Sequence, residues 1–285
     1  MKIKFHHIIF TCFFFHCTVN AQTTPVTETT IPASSKSNAD FKFEKTIPGN
    51  YIYLNVDALD NIYLITAGNQ LKKLNNNGDS LAVFNDVKKY GNPSSIDVTN
   101  PLKTLVYYKN FSTVVILDRL LAKRTTINFR KQNIFAVKAI ATSYDNNIWL
   151  FDEQDNKLKK IDDDGKLLQE STDLRLLVDS VPSPSQIIDS DDLVYLYDEK
   201  KGFYIFDYYG ALKNNIPFLG WQNTAIARKK MYGFSGNTLF SYELSSLNLK
   251  KYELPSFFKN YQAIKAINNK VYLLKEDGIE IYSVQ

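Results

Sequence analysis

Cysteine and histidine are nearly missing from this sequence. It contains two cysteines and three histidines, and all five lie in the first 17 residues, at Cys12, Cys17, His6, His7 and His16. Because the rest of the chain has no thiol and no imidazole, it cannot form a Ser-His-Asp triad or a Cys-His pair. Zinc sites built from cysteine and histidine are excluded there as well, and so are haem and iron–sulfur centres held by these ligands.

Other functional signatures are also missing. The sequence has no Walker loop, no GxGxxG run and no Asp box of the sialidase type. A net charge of +4 is too small to indicate a nucleic-acid partner. We therefore predict no cofactor and no nucleic acid. What the chain has in abundance is aromatic residues, 14% of the total, which favour β-strands.

Residues 1–21 have the pattern of a secretory signal peptide. Lys2 and Lys4 precede an apolar run at positions 8–15, and the small residue Ala21 stands before Gln22, where we expect cleavage. The run is too short to remain as a membrane anchor, and no later stretch reaches 18 apolar residues. The sequence thus predicts a periplasmic or extracellular protein with no transmembrane segment after cleavage.

A lipoprotein is the alternative interpretation of this leader, with the lipid on Cys17. It is less favoured because His16 occupies the position before that cysteine, where such a signal needs a small residue. The end of the leader, Asn-Ala-Gln, resembles that of exported proteins of the Bacteroidetes. Residues 22–40 follow it, and Thr, Ser and Pro dominate them. A segment of this composition buries too little surface to offset its ordering entropy, so we predict a disordered linker.

An internal repeat of about 40 residues fills positions 41–285. An aliphatic residue followed by an aromatic one recurs six times: Ile62-Tyr63, Val106-Tyr107, Ile148-Trp149, Val194-Tyr195, Met231-Tyr232 and Val271-Tyr272. A second motif follows each pair: Leu71/Leu74, Val114/Leu117, Leu158/Ile161, Phe203/Phe206, Leu239/Tyr242 and Ile279/Tyr282. Polar turns separate the motifs. Six such units predict an all-β, six-bladed β-propeller of four-stranded antiparallel blades, because a sandwich rarely repeats one motif six times.

The two ends of the repeat region complement each other. The sixth unit ends at Gln285 after three predicted strands, whereas residues 41–47 alternate as a strand and belong to no complete unit. We expect this N-terminal strand to complete the last blade, which would close the ring and remove an exposed edge.

The units resemble those of six-bladed propellers of the NHL and TolB type. The segments DNNIWLFD at 145–152 and KLKKIDDDG at 157–165 show the resemblance best. It implies a six-bladed ring in which the links from one blade to the next lie on one face. Here those links carry Tyr90, Phe135, Trp221 and Phe258, which could bind a peptide or a sugar. The alternative is that these rings pack between the blades.

Acidic residues cluster in predicted tight turns at 162–164, at Asp189 and at 191–192. Asp is favoured in turns for backbone reasons, and a calcium or catalytic role is the alternative. We favour a non-enzymatic extracytoplasmic binding or scaffold propeller that recognises a protein, peptide or glycan at one face, with no catalytic or metal residues assigned. The alternative function is a metal-dependent hydrolase or lactonase with carboxylates in the central funnel.

Overall fold

The computed structural model describes residues 34–36 and 40–285, which form six antiparallel blades. The first strands of neighbouring blades contact one another all the way round, including blade 6 against blade 1. The predicted six-bladed propeller is therefore confirmed. The signal peptide predicted at 1–21 lies outside the described residues.

The strands follow the repeat in chain order. Blade 1 holds β3 (Tyr51–Val56), β4 (Ile62–Thr66), β5 (Leu71–Leu74) and β6 (Ser80–Phe84); blade 2 holds β7 (Ser95–Asn100), β8 (Lys103–Tyr108), β9 (Thr113–Asp118) and β10 (Lys123–Asn128). Blade 3 holds β11 (Val137–Thr142), β12 (Ile148–Asp152), β13 (Lys157–Ile161) and β14 (Leu167–Glu170); blade 4 holds β15 (Gln186–Ser190), β16 (Leu193–Asp198), β17 (Gly202–Asp207) and β18 (Leu212–Ile216). Blade 5 holds β19 (Gln222–Ala227), β20 (Lys230–Ser235), β21 (Thr238–Glu243) and β22 (Asn248–Glu253), and blade 6 holds β23 (Ala263–Ile267), β24 (Lys270–Lys275), β25 (Gly278–Val284) and β2 (Phe41–Pro48).

Helical structure in the described range is limited to short turns in loops. One turn of α-helix, α1, spans Val87–Tyr90, and three turns of 3-10 helix span Lys109–Phe111, Phe129–Gln132 and Leu174–Leu176. None of the helices in this range is long or apolar enough to cross a membrane.

The N-terminal strand closes the ring as predicted. Strand β2 pairs antiparallel with β25, from Phe41 opposite Val284 to Pro48 opposite Gly278. The pairing joins the beginning and the end of the propeller within blade 6, so the last blade has four strands, as blades 1–4 do. Phe41 and Ile47 are buried in the clusters on the two sides of this blade.

The predicted disordered linker at 22–40 needs a correction for three residues. Ser34–Lys36 form a strand, β1, which pairs in parallel with Leu249, Lys250 and Lys251 of β22. An outer strand offers unpaired backbone groups, and another segment can bond to them through its own backbone whatever its side chains are. The composition of the segment therefore could not reveal this contact.

The repeat was aligned wrongly in one unit. In blade 1, Tyr63 pairs with Lys73, which is the third residue of the second motif. In blade 2, the third residue of the second motif is Ile116, and it pairs with Leu105. The structural equivalent of Tyr63 in blade 2 is therefore Leu105, two residues before the predicted Tyr107. The Tyr107 hydroxyl instead donates a hydrogen bond to the Val137 carbonyl of blade 3, 3.1 Å away.

The core is divided into six apolar clusters, one between each pair of neighbouring blades. The second and third strands supply most of it, because neighbouring blades cover both of their faces. Strand β12, with sequence IWLFD, is buried at every position, whereas the outer strand β14, with sequence LLQE, is mostly exposed. Continuous apolar runs thus mark the inner strands of each blade, and mixed polar sequences mark the outer strands.

Candidate functional site

A cavity of about 400 Å³ lies on the axis of the ring. The first strand of every blade contributes to its lining, so the cavity follows from ring closure itself. Most lining residues are small, polar or aliphatic, and five are charged: Asp57, Asp97, Asp189, Arg228 and Lys265. These charged residues decide what the cavity can bind.

Lys265 is the most deeply buried cation of this lining. It lies on β23 with 9% of its surface exposed, and its Nζ donates a hydrogen bond to the carbonyl oxygen of Thr224, 2.8 Å away. Burial lowers the pKa of Lys265 to about 8, and the negative charge of Asp97 opposes this shift. The ammonium group has two further N–H donors for a ligand or water.

Asp97 is the corresponding anion on β7. Its carboxylate accepts hydrogen bonds from the Thr99 hydroxyl at 2.6 Å and from the Thr142 backbone N–H at 2.8 Å. Burial raises its pKa, while the hydrogen bonds from both threonines lower it. Each of these partners is neutral, and no cation of residues 34–36 or 40–285 forms an ion pair with this carboxylate.

Asp57 accepts hydrogen bonds from the turn that follows β3. One carboxylate oxygen accepts the backbone N–H groups of Leu59 and Asn61, each at 2.9 Å, and the other accepts the Asn61 side chain and the Tyr63 hydroxyl. All four donors belong to its own blade. This carboxylate stabilises a hairpin turn, which is the role that we expected for acids in such positions.

Asp189 has a different role from the one expected of a turn residue. Although it lies at the end of β15 in blade 4, it binds two groups of blade 3, the Trp149 indole Nε1 at 2.9 Å and the Tyr144 backbone N–H at 3.1 Å. It also accepts the Tyr208 hydroxyl at 2.9 Å. Burial raises the pKa of Asp189, and these three donors lower it. One carboxylate therefore joins two blades at the edge of the cavity.

An aromatic pair stands above Asp189. The rings of Tyr144 and Tyr208 stack with centroids 3.9 Å apart and planes inclined by 10°. Tyr144 is 57% exposed and Tyr208 is half-buried, whereas Tyr209, next to Tyr208 in the chain, is 87% exposed. The pair lies on the face of the ring formed by the turns after each first strand, such as 143–147, which we call the turn face. The opposite face, formed by blade-to-blade links such as 129–136, is the link face.

A buried lysine supports the aromatic pair from blade 3. The Nζ of Lys160 lies 5.3 Å from the centroid of the Tyr144 ring and 5.1 Å from that of Trp149, within cation–π range. It also forms an ion pair with Asp145 at 2.9 Å. Burial alone would raise the pKa of Asp145, but the hydrogen bond from Lys160 and those from neighbouring groups lower it overall. The exposed Tyr144 and the half-buried Tyr208 are thus fixed by buried polar contacts.

A strained turn stands at the same edge of the cavity. Arg228 and Lys229, between β19 and β20, both have positive φ, 52° and 59°. Blades 4 and 6 use Asp191-Asp192 and Asn268-Asn269 for the same two-residue turn, and these residue types tolerate positive φ better than Arg or Lys. Blade 5 therefore holds two exposed cations in an unfavourable conformation, and Arg228 lines the cavity.

The four link residues predicted to bind a partner lie on the link face, but only two of them have accessible rings. Phe135 is 56% exposed. Tyr90 is half-buried and packs against Tyr108 and Phe111, with centroid distances of 4.9 and 6.1 Å. Trp221 and Phe258 are 3% and 5% exposed, so neither ring can contact a partner directly.

Both buried link aromatics pack between blades. The Trp221 indole stacks on Phe218 at 4.4 Å and on Phe240 at 5.2 Å, and it covers Gly233, where a Cβ atom would lie 2.4 Å from the indole. Phe258 contacts Phe41 of the closing strand at 5.2 Å. The four predicted residues thus do not form one exposed platform. Among the cavity residues, Asp189 had been named as the alternative to a turn residue, with a calcium or catalytic role, but the other cavity residues and the Tyr144–Tyr208 pair were not predicted as a site.

The acids of the cavity do not converge. Asp57, Asp97 and Asp189 each accept hydrogen bonds from separate sets of donors. Within residues 34–36 and 40–285, no three His, Cys, Asp or Glu side chains lie close enough together to hold a metal ion.

Comparison with known proteins supports the propeller fold but does not assign the chain to a family. No protein-family model matches the sequence, and no curated protein matches it significantly. A protein of Bacteroides fragilis that is predicted to be exported shares 10% identity at a TM-score of 0.58, over 88% of this chain and 98% of that one. The β-propeller domain of Cps50 (Swd1) from Myceliophteria thermophila shares 9% at 0.57, over 86% and 100%.

An enzyme with this architecture is also similar. Virginiamycin B lyase from Staphylococcus aureus, in a catalytically inactive form with quinupristin, shares 13% identity at a TM-score of 0.53, over 86% of this chain and 89% of that one. At such identities the similarity shows a common propeller fold. Function has to be argued from the site.

Proposed function

We propose that this chain is a non-enzymatic binding propeller of the periplasm or the cell exterior, built from repeats of the NHL and TolB type. Of the partner classes that the sequence leaves open, protein, peptide or glycan, we favour a peptide segment of a protein. We place its binding site on the turn face, around Tyr144 and Tyr208. A role for the accessible link residues Tyr90 and Phe135 is a second, weaker proposal.

The observation that supports this site is an exposed ring, that of Tyr144, held in place by stacking on the half-buried ring of Tyr208. Asp189 binds the Tyr208 hydroxyl and the Tyr144 backbone, and Lys160 lies over the Tyr144 ring. Exposed rings that are already ordered lose little conformational entropy when a partner binds. Tyr is also among the residues that contribute most to binding energy at protein interfaces. The exposed cations Arg228 and Lys229 would add polar contacts at the edge of the same face.

The site supports neither a metal-dependent hydrolase nor a lyase. A metal-dependent hydrolase needs converging carboxylates, whereas the three acids of the cavity are bonded separately. The inactive lyase variant has alanine in place of a histidine, and the histidines of this chain all lie at or before position 16, in the predicted leader. The leader and the likeness to a Bacteroides protein that is predicted to be exported support the extracytoplasmic location.

A selection experiment tests the proposal. The protein without residues 1–21 is exposed to a random peptide library displayed on phage and, in parallel, to a glycan array. We expect peptides whose affinity falls at least about tenfold with Tyr144→Ala, the loss typical of one contributing aromatic contact. Phe135→Ala, with a similar exposure on the link face, is the matched control and should leave the affinity unchanged.

Two results would contradict the proposal. If no peptide is enriched, or if only glycans bind, the partner class is wrong. If enriched peptides respond to Phe135→Ala and not to Tyr144→Ala, the binding face is the link face, as the pattern of link aromatics first indicated.

A further inference from the structure

The central cavity holds a cation and an anion that do not pair with each other. Lys265 belongs to blade 6 and Asp97 to blade 2, and both line the cavity. Among the described residues, no carboxylate oxygen lies within 4.0 Å of the Lys265 Nζ, where the Thr224 carbonyl is its hydrogen-bond acceptor. Because a buried charge without a counter-ion is costly, complementary charges inside the cavity would stabilise both groups.

We propose that the cavity is a binding site for a small zwitterion of the α-amino acid class. The ligand's carboxylate would accept hydrogen bonds from Lys265, and its ammonium group would donate to Asp97. The proposal does not rest on peptide binding at the turn face, because it uses different residues and a different ligand.

The donors and acceptors of the two residues fit this assignment. An ammonium group has three N–H donors, and the Thr224 carbonyl takes one of those of Lys265. The Asp97 carboxylate has more lone pairs than the neutral groups of Thr99 and Thr142 occupy. Each ion thus has free bonding capacity towards the cavity.

The size and the walls of the cavity limit the ligand. A volume of about 400 Å³ lies within the usual range for small-molecule sites and is too small for a polymer. Ile96, Ile140 and Ile188 contribute apolar surface to the lining, against which an aliphatic side chain could pack. An amino acid with an apolar side chain therefore suits the cavity best.

Binding of such a ligand should be accompanied by proton uptake at Lys265. Burial lowers the pKa of Lys265 to about 8, and a bound carboxylate would raise it again. The other charged residues of the lining are Asp57, Asp97, Asp189 and Arg228. At pH 8.5 we expect binding to take up a fraction of a proton, which calorimetric titrations in buffers of different ionisation enthalpy measure.

The main experiment uses the wild-type protein without residues 1–21, so it does not depend on the folding of any variant. Leucine, valine, phenylalanine and glycine are titrated by calorimetry together with the N-acetyl and methyl-ester derivatives of each. We expect at least one free amino acid to bind and both of its derivatives to bind at least about tenfold more weakly, because each lacks one charge. Binding of the derivatives as tight as that of the free amino acid would overturn the proposal.

Variants then assign the contacts. Lys265→Met and Asp97→Asn should each weaken binding at least about tenfold. Lys73→Met is the matched control, since Lys73 is also buried, with 4% of its surface exposed, but donates to the Pro101 and Arg119 carbonyls outside the cavity. If none of the four amino acids binds the wild-type protein, the proposal fails. It fails as well if binding survives both cavity substitutions.

Discussion

The indole Nε1 of Trp149 donates a hydrogen bond to Asp189 across a blade boundary, over 2.9 Å. Trp149 is fully buried in blade 3, and the carboxylate comes from the end of the first strand of blade 4. The same carboxylate holds Tyr144 and Tyr208 at the surface. A buried contact between blades and the geometry of the candidate binding face thus depend on one residue.

Asp189→Ala should destabilise the protein by about 1–3 kcal/mol, because it leaves the buried indole N–H without an acceptor. Trp149→Phe removes that donor, so the two substitutions together should cost less than the sum of their separate effects. Chemical denaturation of the four proteins of this double-mutant cycle measures the coupling. Strict additivity would show that the indole and the carboxylate do not interact energetically.

Trp221→Ala should lower the free energy of unfolding by about 3–5 kcal/mol, because it leaves a cavity between blades 4 and 5. Phe135→Ala, which truncates an exposed ring of the same set of links, should change stability by less than about 0.5 kcal/mol. Urea denaturation compares them. Equal stability of the two variants would mean that the Trp221 ring is not part of the core.

Removal of the closing strand should disrupt the fold. A chain that begins at residue 49 lacks β2 and exposes the edge of β25, so we expect it to be unfolded or to melt at least about 10 °C lower. Of the contacts that the structure describes, a chain that begins at residue 40 loses the three-residue β1 pairing, and we expect it to melt within about 3 °C of the longer protein. Similar melting temperatures for both chains would contradict closure by β2.

The stability of the unliganded protein should depend on Lys265 at alkaline pH. Its folded-state pKa of about 8 lies below its ordinary value of 10.5, so the unfolded chain binds more protons between these pH values. The contribution of Lys265 to stability therefore rises as the pH increases through this window. Lys265→Met should remove that rise and stabilise the protein at pH 7 by about 1–3 kcal/mol. Parallel pH–stability curves for wild type and variant would refute the lowered pKa.

The sequence predicted the ring because each blade carries the same apolar motifs, and these motifs form the buried middle strands. The closing strand was predictable for a related reason, since residues 41–47 have a strand pattern and the sixth unit lacks one strand. The error in blade 2 arose because Val106-Tyr107 imitates the motif two residues too late. Only strand pairing distinguishes the two alignments.

The site was harder to predict. Trp221 and Phe258 stand in links, and composition does not tell whether a link side chain points inward. Gly233, the residue that makes room for the indole, gives no signal until the strands are paired. Lys265 offered a better clue, because it interrupts an apolar run in a predicted first strand, and first strands surround the axis of a propeller. Contacts between blades, such as those of Asp189, depend on the ring and cannot be inferred from one unit.

The measurement that tests the central functional claim most directly is photo-crosslinking of a selected peptide that carries a benzophenone side chain. If the turn face binds the peptide, mass spectrometry should place the crosslinks in 143–147 and 208–211, and Tyr144→Ala should abolish them. Crosslinks confined to the link face, within 85–94 or 129–136, would contradict a binding site at Tyr144 and Tyr208.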